Sequence, residues 1–205
     1  QTLAVKPEVV EIVTWNDYGE SHYIGPIYDA GVVNGTDANA HRYVDGMPHD
    51  GWRTLLPYYI AAYKHAIGVG PPPLVEEEKL EYWYRLTPKA AGSTNGVTGN
   101  NCNNPNQQCL SPNDVVQDKV FVTALVKSLP ASISVQIGDN AAATYDAYAV
   151  GPNHFSQEFN GQTGPVTFGI VRGGETVLMG TGESILARPV DGITNYNAWV
   201  GGVSA

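Results

Sequence analysis

Basic residues are scarce in this sequence. It has 11 Lys and Arg against 20 Asp and Glu, which gives a formal net charge of -9 at pH 7. Such a chain has no basic stripe that could neutralise phosphates, which argues against nucleic acid and anionic membranes as partners. It also lacks any apolar run of the roughly 20 residues that a membrane span needs. We therefore expect no membrane association and a ligand that is neutral or cationic.

Cysteine is almost absent, and the two that occur are Cys102 and Cys109. They lie in a polar segment with neither the CxxC spacing nor the neighbouring histidines of a zinc site. We interpret them as a disulfide that closes a short loop in an oxidising compartment, with two free thiols as the alternative. Asn34 begins a glycosylation sequon, and the chain starts at Gln1 without a signal peptide. Together these features predict a processed protein that is secreted, extracellular or in the cell wall.

The histidines show no metal-ligand spacing either. His22, His41 and His49 are separated by 19 and 8 positions in polar segments, unlike the close pairs that hold zinc. The sequence therefore predicts neither a metal site nor a cofactor.

Two regions with different periodicities follow each other along the chain. In residues 1–90, the run at residues 8–15 is almost continuously apolar and β-branched, which predicts a strand buried on both faces of a parallel sheet. Residues 113–205 instead contain several short β runs separated by Gly, Pro and Asn, a pattern typical of an antiparallel β-sandwich. Residues 91–112 form the expected linker, which the disulfide would close.

A helix is expected after Asp50. Its apolar stripe recurs every three or four residues, with Asp50 as a possible N-terminal cap and Gly68 as the stop. Pro57 should kink this helix or restart it. A strand with alternating apolar residues then follows around Tyr82 and connects the first region to the linker.

Two carboxylates, Asp17 and Glu20, stand three positions apart immediately after the predicted strand. In parallel α/β barrels, this end of the strands is the reaction face. Hydrolysis of a glycosidic bond needs one carboxylic acid to protonate the leaving oxygen and one carboxylate to activate water or attack the sugar. Asp17 and Glu20 are therefore the candidate catalytic residues. The alternative is a capped turn in which both serve only as acceptors for backbone amides.

The surrounding residues are suited to binding sugars. Aromatic rings offer flat faces to sugar C–H groups, and amide, imidazole and carboxylate groups bind hydroxyls. His49 and Asp50 lie at the predicted helix start and could face the same cleft, although Asp50 is more simply a helix cap. The candidate substrate-binding residues are Trp15, Asn16, Tyr18, His22, Tyr23, His49 and Asp50.

The segments EIVTWNDYGESHYIGP and PHDGWRTLLPYYIAAYK resemble the end of the catalytic barrel in fungal α-1,3-glucanases (mutanases) of glycoside hydrolase family 71. The EYWYR segment and the β-rich tail also resemble the C-terminal region of that family. The resemblance implies the C-terminal portion of a (β/α)8 barrel followed by an antiparallel β-sandwich domain. It also implies a secreted endo-hydrolase that cleaves α-1,3-glucan with inversion.

On this resemblance, the family's acid–base pair falls on Asp17 and Glu20. We hypothesise that Glu20 is the acid and Asp17 the base. In an inverting enzyme their carboxyl groups should stand roughly 6.5 to 9.5 Å apart, which leaves room for the attacking water.

A closed barrel takes about 250 residues, far more than residues 1–90 provide. We therefore expect an N-terminal fragment of the same enzyme to be the partner that completes the barrel, with α-1,3-glucan as the ligand. The alternatives are a non-catalytic carbohydrate-binding or structural β-sandwich module, and a hydrolase of another polysaccharide.

Overall fold

The computed structural model describes residues 1–33, 39–93 and 111–205. Most of the regular structure in these ranges is β-sheet, in two four-stranded antiparallel sheets that share one core. None of the helices in the described ranges has the length and apolar character needed to cross a bilayer. The sequon at Asn34 and the predicted disulfide between Cys102 and Cys109 lie outside the described residues.

The two sheets form a β-sandwich-like domain, in agreement with the predicted antiparallel architecture. In space, the first sheet has the strand order β5-β2-β1-β8 and the second has the order β4-β3-β6-β7. The strands are β1 (Lys79–Tyr84), β2 (Lys119–Val126), β3 (Ser132–Ile137), β4 (Ala143–Asp146), β5 (Gly151–Glu158), β6 (Gly164–Arg172), β7 (Glu175–Ile185) and β8 (Trp199–Ser204).

Strand β1 lies in the middle of the first sheet, where Tyr82 pairs with Val122 of β2 and Gly201 of β8. We expected this strand to connect the barrel portion to the linker, and the sandwich to begin at residue 113. The sheet instead begins at Lys79, because the alternating apolar side chains of β1 face the sandwich core.

Aromatic packing fills the space between the sheets. The rings of Tyr82 and Phe168 stack with their centroids 4.0 Å apart, and the Tyr84 ring approaches β7 at Gly182. A Cβ atom at Gly182 would overlap with the Tyr84 hydroxyl. The glycine in β7 therefore makes room for a core tyrosine, in keeping with the use of Gly where another group approaches the backbone closely.

The helical segments are short and lie mainly before the sandwich. They are α1 (Thr2–Val5), a 3-10 turn at Asp29–Gly31, α2 (His41–Val44), a 3-10 turn at Asp50–Arg53, α3 (Leu56–Ala66) and α4 (Pro112–Val115).

Pro57 lies in the first turn of α3, where its fixed φ and missing N–H are tolerated, so the predicted restart is confirmed. The expected stop is also confirmed, since Gly68 follows the helix with φ of 80°. Asp50 makes no side-chain cap, and its carboxylate lies 3.6 Å from the Arg53 guanidinium instead. The helix-cap interpretation of Asp50 was therefore wrong.

The strand predicted at residues 8–15 is not formed. This segment pairs with no sheet, and Val9 and Val13 are 79% and 62% exposed. A parallel strand needs neighbours to accept and donate its backbone hydrogen bonds and to cover both faces. No closed barrel forms within the ranges described above, so residues 8–15 have no such neighbours there.

A small second core is formed by side chains from residues 18–32 and 40–44, near one end of the first sheet. Its buried members are Tyr18, Tyr23, Val32, Ala40 and Val44. The Val200 amide of β8 donates to the Pro48 carbonyl over 3.0 Å. Gly51 packs so closely on Gly201 that a Cβ atom would lie 2.6 Å from the neighbouring backbone. The N-terminal region is thereby held against β8.

Glu81 is a partly buried acid on the outward face of β1, beneath the segment that leads into α3. Burial raises the pKa of Glu81 to about 7, although a hydrogen bond from the Leu55 backbone acts in the opposite direction. The folded chain therefore holds a proton that the unfolded chain releases near the ordinary pKa of 4.5. Between these two values the unfolded state binds fewer protons, so the free energy of unfolding falls as pH rises.

Glu81→Gln should remove this pH-dependent loss. We expect the variant to be more stable than the parent by about 1 to 3 kcal/mol at pH 8, and to differ little at pH 4, where Glu81 is protonated in both states. Urea denaturation at both pH values measures the difference. Glu175→Gln, at an exposed position, is the control and should change nothing. An equal effect of Glu81→Gln at both pH values would contradict this account.

Candidate functional site

The candidate catalytic residues lie on one loop, residues 14–25, which we call the acid loop. Its two ends run antiparallel and exchange backbone hydrogen bonds. The Thr14 amide donates to the His22 carbonyl over 3.1 Å, the Ile24 amide to the Thr14 carbonyl over 3.0 Å, and the Gly25 amide to the Trp15 carbonyl over 2.9 Å. The loop therefore has a closed base and a tip that contains Asp17 and Glu20.

Short polar bonds shape the tip. The Asp17 amide donates to the Thr14 hydroxyl over 2.9 Å, and the Glu20 amide donates to Oδ1 of Asp17 over 3.2 Å. Ser21 takes a left-handed conformation with φ of 58°, which turns the chain back. Asp17 thus accepts a hydrogen bond from a backbone amide, as in the capped turn that was the alternative to a catalytic pair. It does so through Oδ1 alone of its two carboxylate oxygens.

The tip brings together both predicted acids and His22. One ligand-type atom from each of Asp17, Glu20 and His22 lies within 4.8 Å of the other two, and the Glu20 carboxylate is 3.5 Å from Nδ1 of His22. The side chains of Glu20 and His22 are 71% and 54% exposed. The carboxylate oxygens of Asp17 and Glu20 therefore lie closer together than the carboxyl groups of inverting glycosidases, which stand roughly 6.5 to 9.5 Å apart.

The same three side chains are of the types that can bind a divalent cation. The sequence spacing did not indicate a cation site. The three residues lie within six positions of one loop, and only the turn of that loop brings their side chains together. Exposed acidic groups often gather in this way without a metal.

Trp15 and Asn16 remain at the surface of the acid loop, as substrate contacts would require. The indole of Trp15 lies against Gly25, where a Cβ atom would come within 2.7 Å of the ring. The guanidinium of Arg53 lies 5.2 Å from the indole centroid. Asp50 is also partly exposed, near Arg53, so these three candidates stay available to a ligand.

Tyr18, Tyr23 and His49 are buried, which corrects the expectation that they contact substrate. Their exposed fractions are 3%, 0% and 0%. The Tyr23 and His49 rings stack at 4.0 Å, and the Tyr18 hydroxyl donates to the Pro26 carbonyl over 2.8 Å. A side chain without free surface cannot meet a polysaccharide. We therefore assign all three to the packing that supports the acid loop.

A buried polar cluster joins the acid loop to the sandwich, and we call it the clamp. Its members are Tyr23, His49, Asn197 and the backbone of Ala198. The His49 ring lies between two backbone carbonyls, with Nδ1 2.8 Å from that of Tyr23 and Nε2 3.0 Å from that of Ala198. The Asn197 amide donates to the Tyr23 hydroxyl over 3.1 Å and to the Tyr43 carbonyl over 2.9 Å.

Burial lowers the pKa of His49, and the hydrogen bonds to Tyr23, Ala198 and Asn197 oppose that shift. A neutral imidazole donates through only one ring nitrogen. Because both nitrogens of His49 face oxygen acceptors, either the ring is charged or one of these contacts has no proton. The charge state of His49 is therefore set by two opposing effects, burial, which favours the neutral ring, and hydrogen bonds to oxygen, which favour the charged ring.

Comparison with known proteins identifies the family of this chain. The model of glycosyl hydrolase family 71 matches residues 1–205. The chain belongs to this family. No solved structure matches it.

Three curated relatives are similar to the family 71 chain. A mutanase of Penicillium rubens is 35% identical over 201 residues, which is 98% of this chain and 40% of that protein. A glucan endo-1,3-alpha-glucosidase of Schizosaccharomyces pombe is 37% identical over 98% of this chain and 42% of that protein. An ascus wall endo-1,3-alpha-glucanase of the same yeast is 35% identical over 44% of this chain and 21% of that protein. The chain thus spans about two fifths of the length of the first two relatives.

The acid loop of this family 71 chain opens into a cleft of about 810 Å³. One wall comes from the acid loop and α2, and the other comes from residues 186–197 between β7 and β8. Tyr43 lies beside the acids: its hydroxyl donates to the Gly19 carbonyl over 2.8 Å. Burial, and then the charge of Asp17, raise the pKa of Tyr43.

Sequence reasoning missed Tyr43, Asn197 and the wall at residues 186–197. These residues are far from the motif in sequence, and only the folded chain brings them to it. Asn197 is 174 positions from Tyr23, the residue whose hydroxyl it binds.

His49→Ala should strongly destabilise the protein. The substitution removes the ring that bridges two buried carbonyls and leaves a cavity beside Tyr23, so we expect the free energy of unfolding to fall by about 3 kcal/mol or more. Urea denaturation measures the loss. His65→Ala, an exposed histidine of α3, is the control and should stay within about 0.5 kcal/mol of the parent. Similar values for the two variants would contradict the role of the clamp.

Proposed function

We propose that this chain carries the acid–base pair of an endo-acting enzyme that hydrolyses α-1,3-glucan. The observation that carries the proposal is the pair Asp17 and Glu20 on the tip of one clamped loop, beside a cleft, in a chain of family 71. Two relatives that the chain matches over almost its whole length are named as a mutanase and a glucan endo-1,3-alpha-glucosidase. These names support α-1,3-glucan as the substrate.

In the proposed mechanism, Glu20 is the general acid and Asp17 the general base. Glu20 lines the cleft and its longer side chain is mostly exposed, which suits a group that must reach a glycosidic oxygen. Oδ1 of Asp17 accepts the Glu20 amide, which leaves Oδ2 to take a proton from water. The water then attacks the anomeric carbon as Glu20 protonates the departing oxygen.

Inversion requires more room than is present here, where a carboxylate oxygen of Asp17 and one of Glu20 lie within 4.8 Å of each other. We propose that substrate turns the Glu20 side chain away from Asp17, since that side chain is 71% exposed and is free to move. Water then fits between Asp17 and the sugar. An α-linked substrate would release the β-anomer first.

We further propose that residues 8–15 become a barrel strand when they dock onto an N-terminal fragment of the same enzyme. Support comes from their exposed apolar side chains, among them Val9, Ile12 and Val13. The greater length of the relatives also supports it. On this proposal, the residues before β1, which begins at Lys79, contain the end of a catalytic (β/α)8 barrel.

A secreted, extracellular or cell-wall location is part of the same proposal. An enzyme that cleaves a wall polysaccharide must reach it outside the membrane. One relative is named as an ascus wall enzyme, which supports this location. The proposed disulfide and glycosylation site would suit the same compartment.

Asp17→Asn and Glu20→Gln should each abolish most of the hydrolysis of α-1,3-glucan. Loss of a general acid or base typically costs about 10²- to 10⁴-fold in rate, and both substitutions keep the size of the side chain. Release of reducing sugar from insoluble α-1,3-glucan, by the enzyme with its barrel complete, measures the effect. Asp139→Asn and Glu175→Gln change exposed acids away from the acid loop and should retain full activity.

The same assay separates the parts of the proposal. Full activity of either acid-loop variant would remove that residue from the pair, and activity on β-1,3-glucan alone would exclude the proposed substrate. An active preparation that contains only the 205-residue chain would contradict the docking of residues 8–15. If NMR showed that the α-anomer is released first, that result would contradict inversion.

A further inference from the structure

The cleft extends from the acid loop along the sandwich, and nothing in the proposed acid–base chemistry uses its far wall. Glu20 lies at one side of it, and the opposite side is formed by residues 186–197. Its volume of about 810 Å³ falls in the range of roughly 300 to 1,000 Å³ that is usual for ligand sites. The space is thus large enough for more than the sugar that reacts.

We infer that this cleft is a subsite for further glucosyl units of the bound α-1,3-glucan, and that the β-sandwich supplies one of its walls. The inference rests on the proposed function, because it takes the occupant to be the same polysaccharide chain that Glu20 protonates. It gives the sandwich a direct part in substrate binding.

The chemistry of the walls suits a neutral sugar. Sugars bind to planar polar groups that pair with adjacent hydroxyls and to flat apolar faces that cover their C–H groups. The cleft has both kinds of group in Arg42, Asp191, Asn195, Tyr43 and Tyr196. Among the described residues that line the cleft, Arg42 is the one cation, and Glu20, Asp45 and Asp191 are acids, so an anionic ligand would be repelled.

An ion pair between the walls is the group most readily available to sugar hydroxyls. Arg42 of α2 donates to Oδ2 of Asp191 over 3.0 Å, and the two side chains are 38% and 58% exposed. Oδ1 of Asp191 meanwhile accepts the Ile193 amide over 3.0 Å, which orients the carboxylate. Exposed ion pairs contribute only about 0 to 1 kcal/mol. A sugar hydroxyl can therefore replace this contact at little cost.

Other polar groups of the far wall are already used to hold it in place. The side-chain amide of Asn195 donates to the Tyr43 carbonyl over 3.3 Å, and its Oδ1 accepts the backbone N–H of Asn197 over 3.0 Å. The Tyr196 hydroxyl donates to Oδ1 of Asn113 over 2.9 Å. The wall is therefore ordered before a ligand arrives, which reduces the entropy lost on binding.

Val190 offers a way to block the cleft without disturbing the fold. It lines the wall next to Asp191 and is 95% exposed, so a larger side chain there meets no core. Val177 on β7 is the matched control, because it is an exposed valine that does not line the cleft. Arg42→Ala removes the cation of the ion pair, and Lys64→Ala, at an exposed position of α3 that does not line the cleft, is its control.

The experiment measures binding of an α-1,3-linked glucotetraose by calorimetry, with every variant in the Glu20→Gln background so that hydrolysis does not interfere. We expect Val190→Trp to weaken binding by about tenfold or more through steric exclusion, and Arg42→Ala to weaken it by a similar factor through lost hydroxyl contacts. Val177→Trp and Lys64→Ala should bind like the Glu20→Gln parent. The β-1,3-linked tetrasaccharide serves as the linkage control.

Absence of saturable binding, or equal affinity of Val190→Trp and Val177→Trp, would overturn the subsite. The proposed function fails by a different result, since it requires release of reducing sugar in the activity assay. Binding that depends on Val190, without any hydrolysis by the complete enzyme, would keep the subsite and reject the hydrolase.

Discussion

The arrangement of the site depends on the burial of His49 between two backbone carbonyls. The acid loop belongs to neither sheet, so its own hydrogen bonds fix its shape but not its place on the molecule. That place is set where the His49 ring meets the carbonyl of Tyr23 on one side and that of Ala198, at the start of β8, on the other. Loss of a hydrogen bond from the ring would leave a buried carbonyl without a partner, at a cost of about 1 to 3 kcal/mol, which makes alternative placements of the loop unfavourable.

This constraint links the chemistry to the sandwich. Asn197, beside Ala198, binds the Tyr23 hydroxyl and the Tyr43 carbonyl, so the wall at residues 186–197 and the acid loop are held by the same residue. These hydrogen bonds fix the distance between the two walls of the cleft. On the proposed function, a glucan chain in this cleft would contact Glu20 and the sandwich together.

Local patterns predicted the parts of the structure that depend on near neighbours. Asp17 and Glu20 were predicted on one loop after residue 15, and both lie at the tip of that loop, although the spacing did not predict their distance. Pro57 lies in the first turn of α3, where its ring is tolerated, as the predicted restart required. The regular spacing of turn residues likewise predicted the antiparallel sheets. The acid loop and the start of α3 depend on contacts within a few positions, whereas the sheets also join distant strands, as where Tyr82 of β1 pairs with Gly201 of β8.

Features set by distant partners were not predicted. The apolar run at residues 8–15 has the composition of a buried strand, but a parallel strand exists only where neighbours pair with it. The alternation in β1 indicated a strand without showing that it belongs to the sandwich. His49 looked like a polar residue at a helix start, and its burial follows from Asn197 and Ala198, almost 150 positions away.

The most direct test of this account is a crystal structure of the complete enzyme, as the Glu20→Gln variant, with an α-1,3-linked oligosaccharide bound. The account predicts a glycosidic oxygen within about 2.6 to 3.2 Å of the amide that replaces the Glu20 carboxyl. It also predicts a water held by Asp17 on the opposite side of the sugar ring. An oligosaccharide bound elsewhere, with both side chains facing solvent, would contradict it.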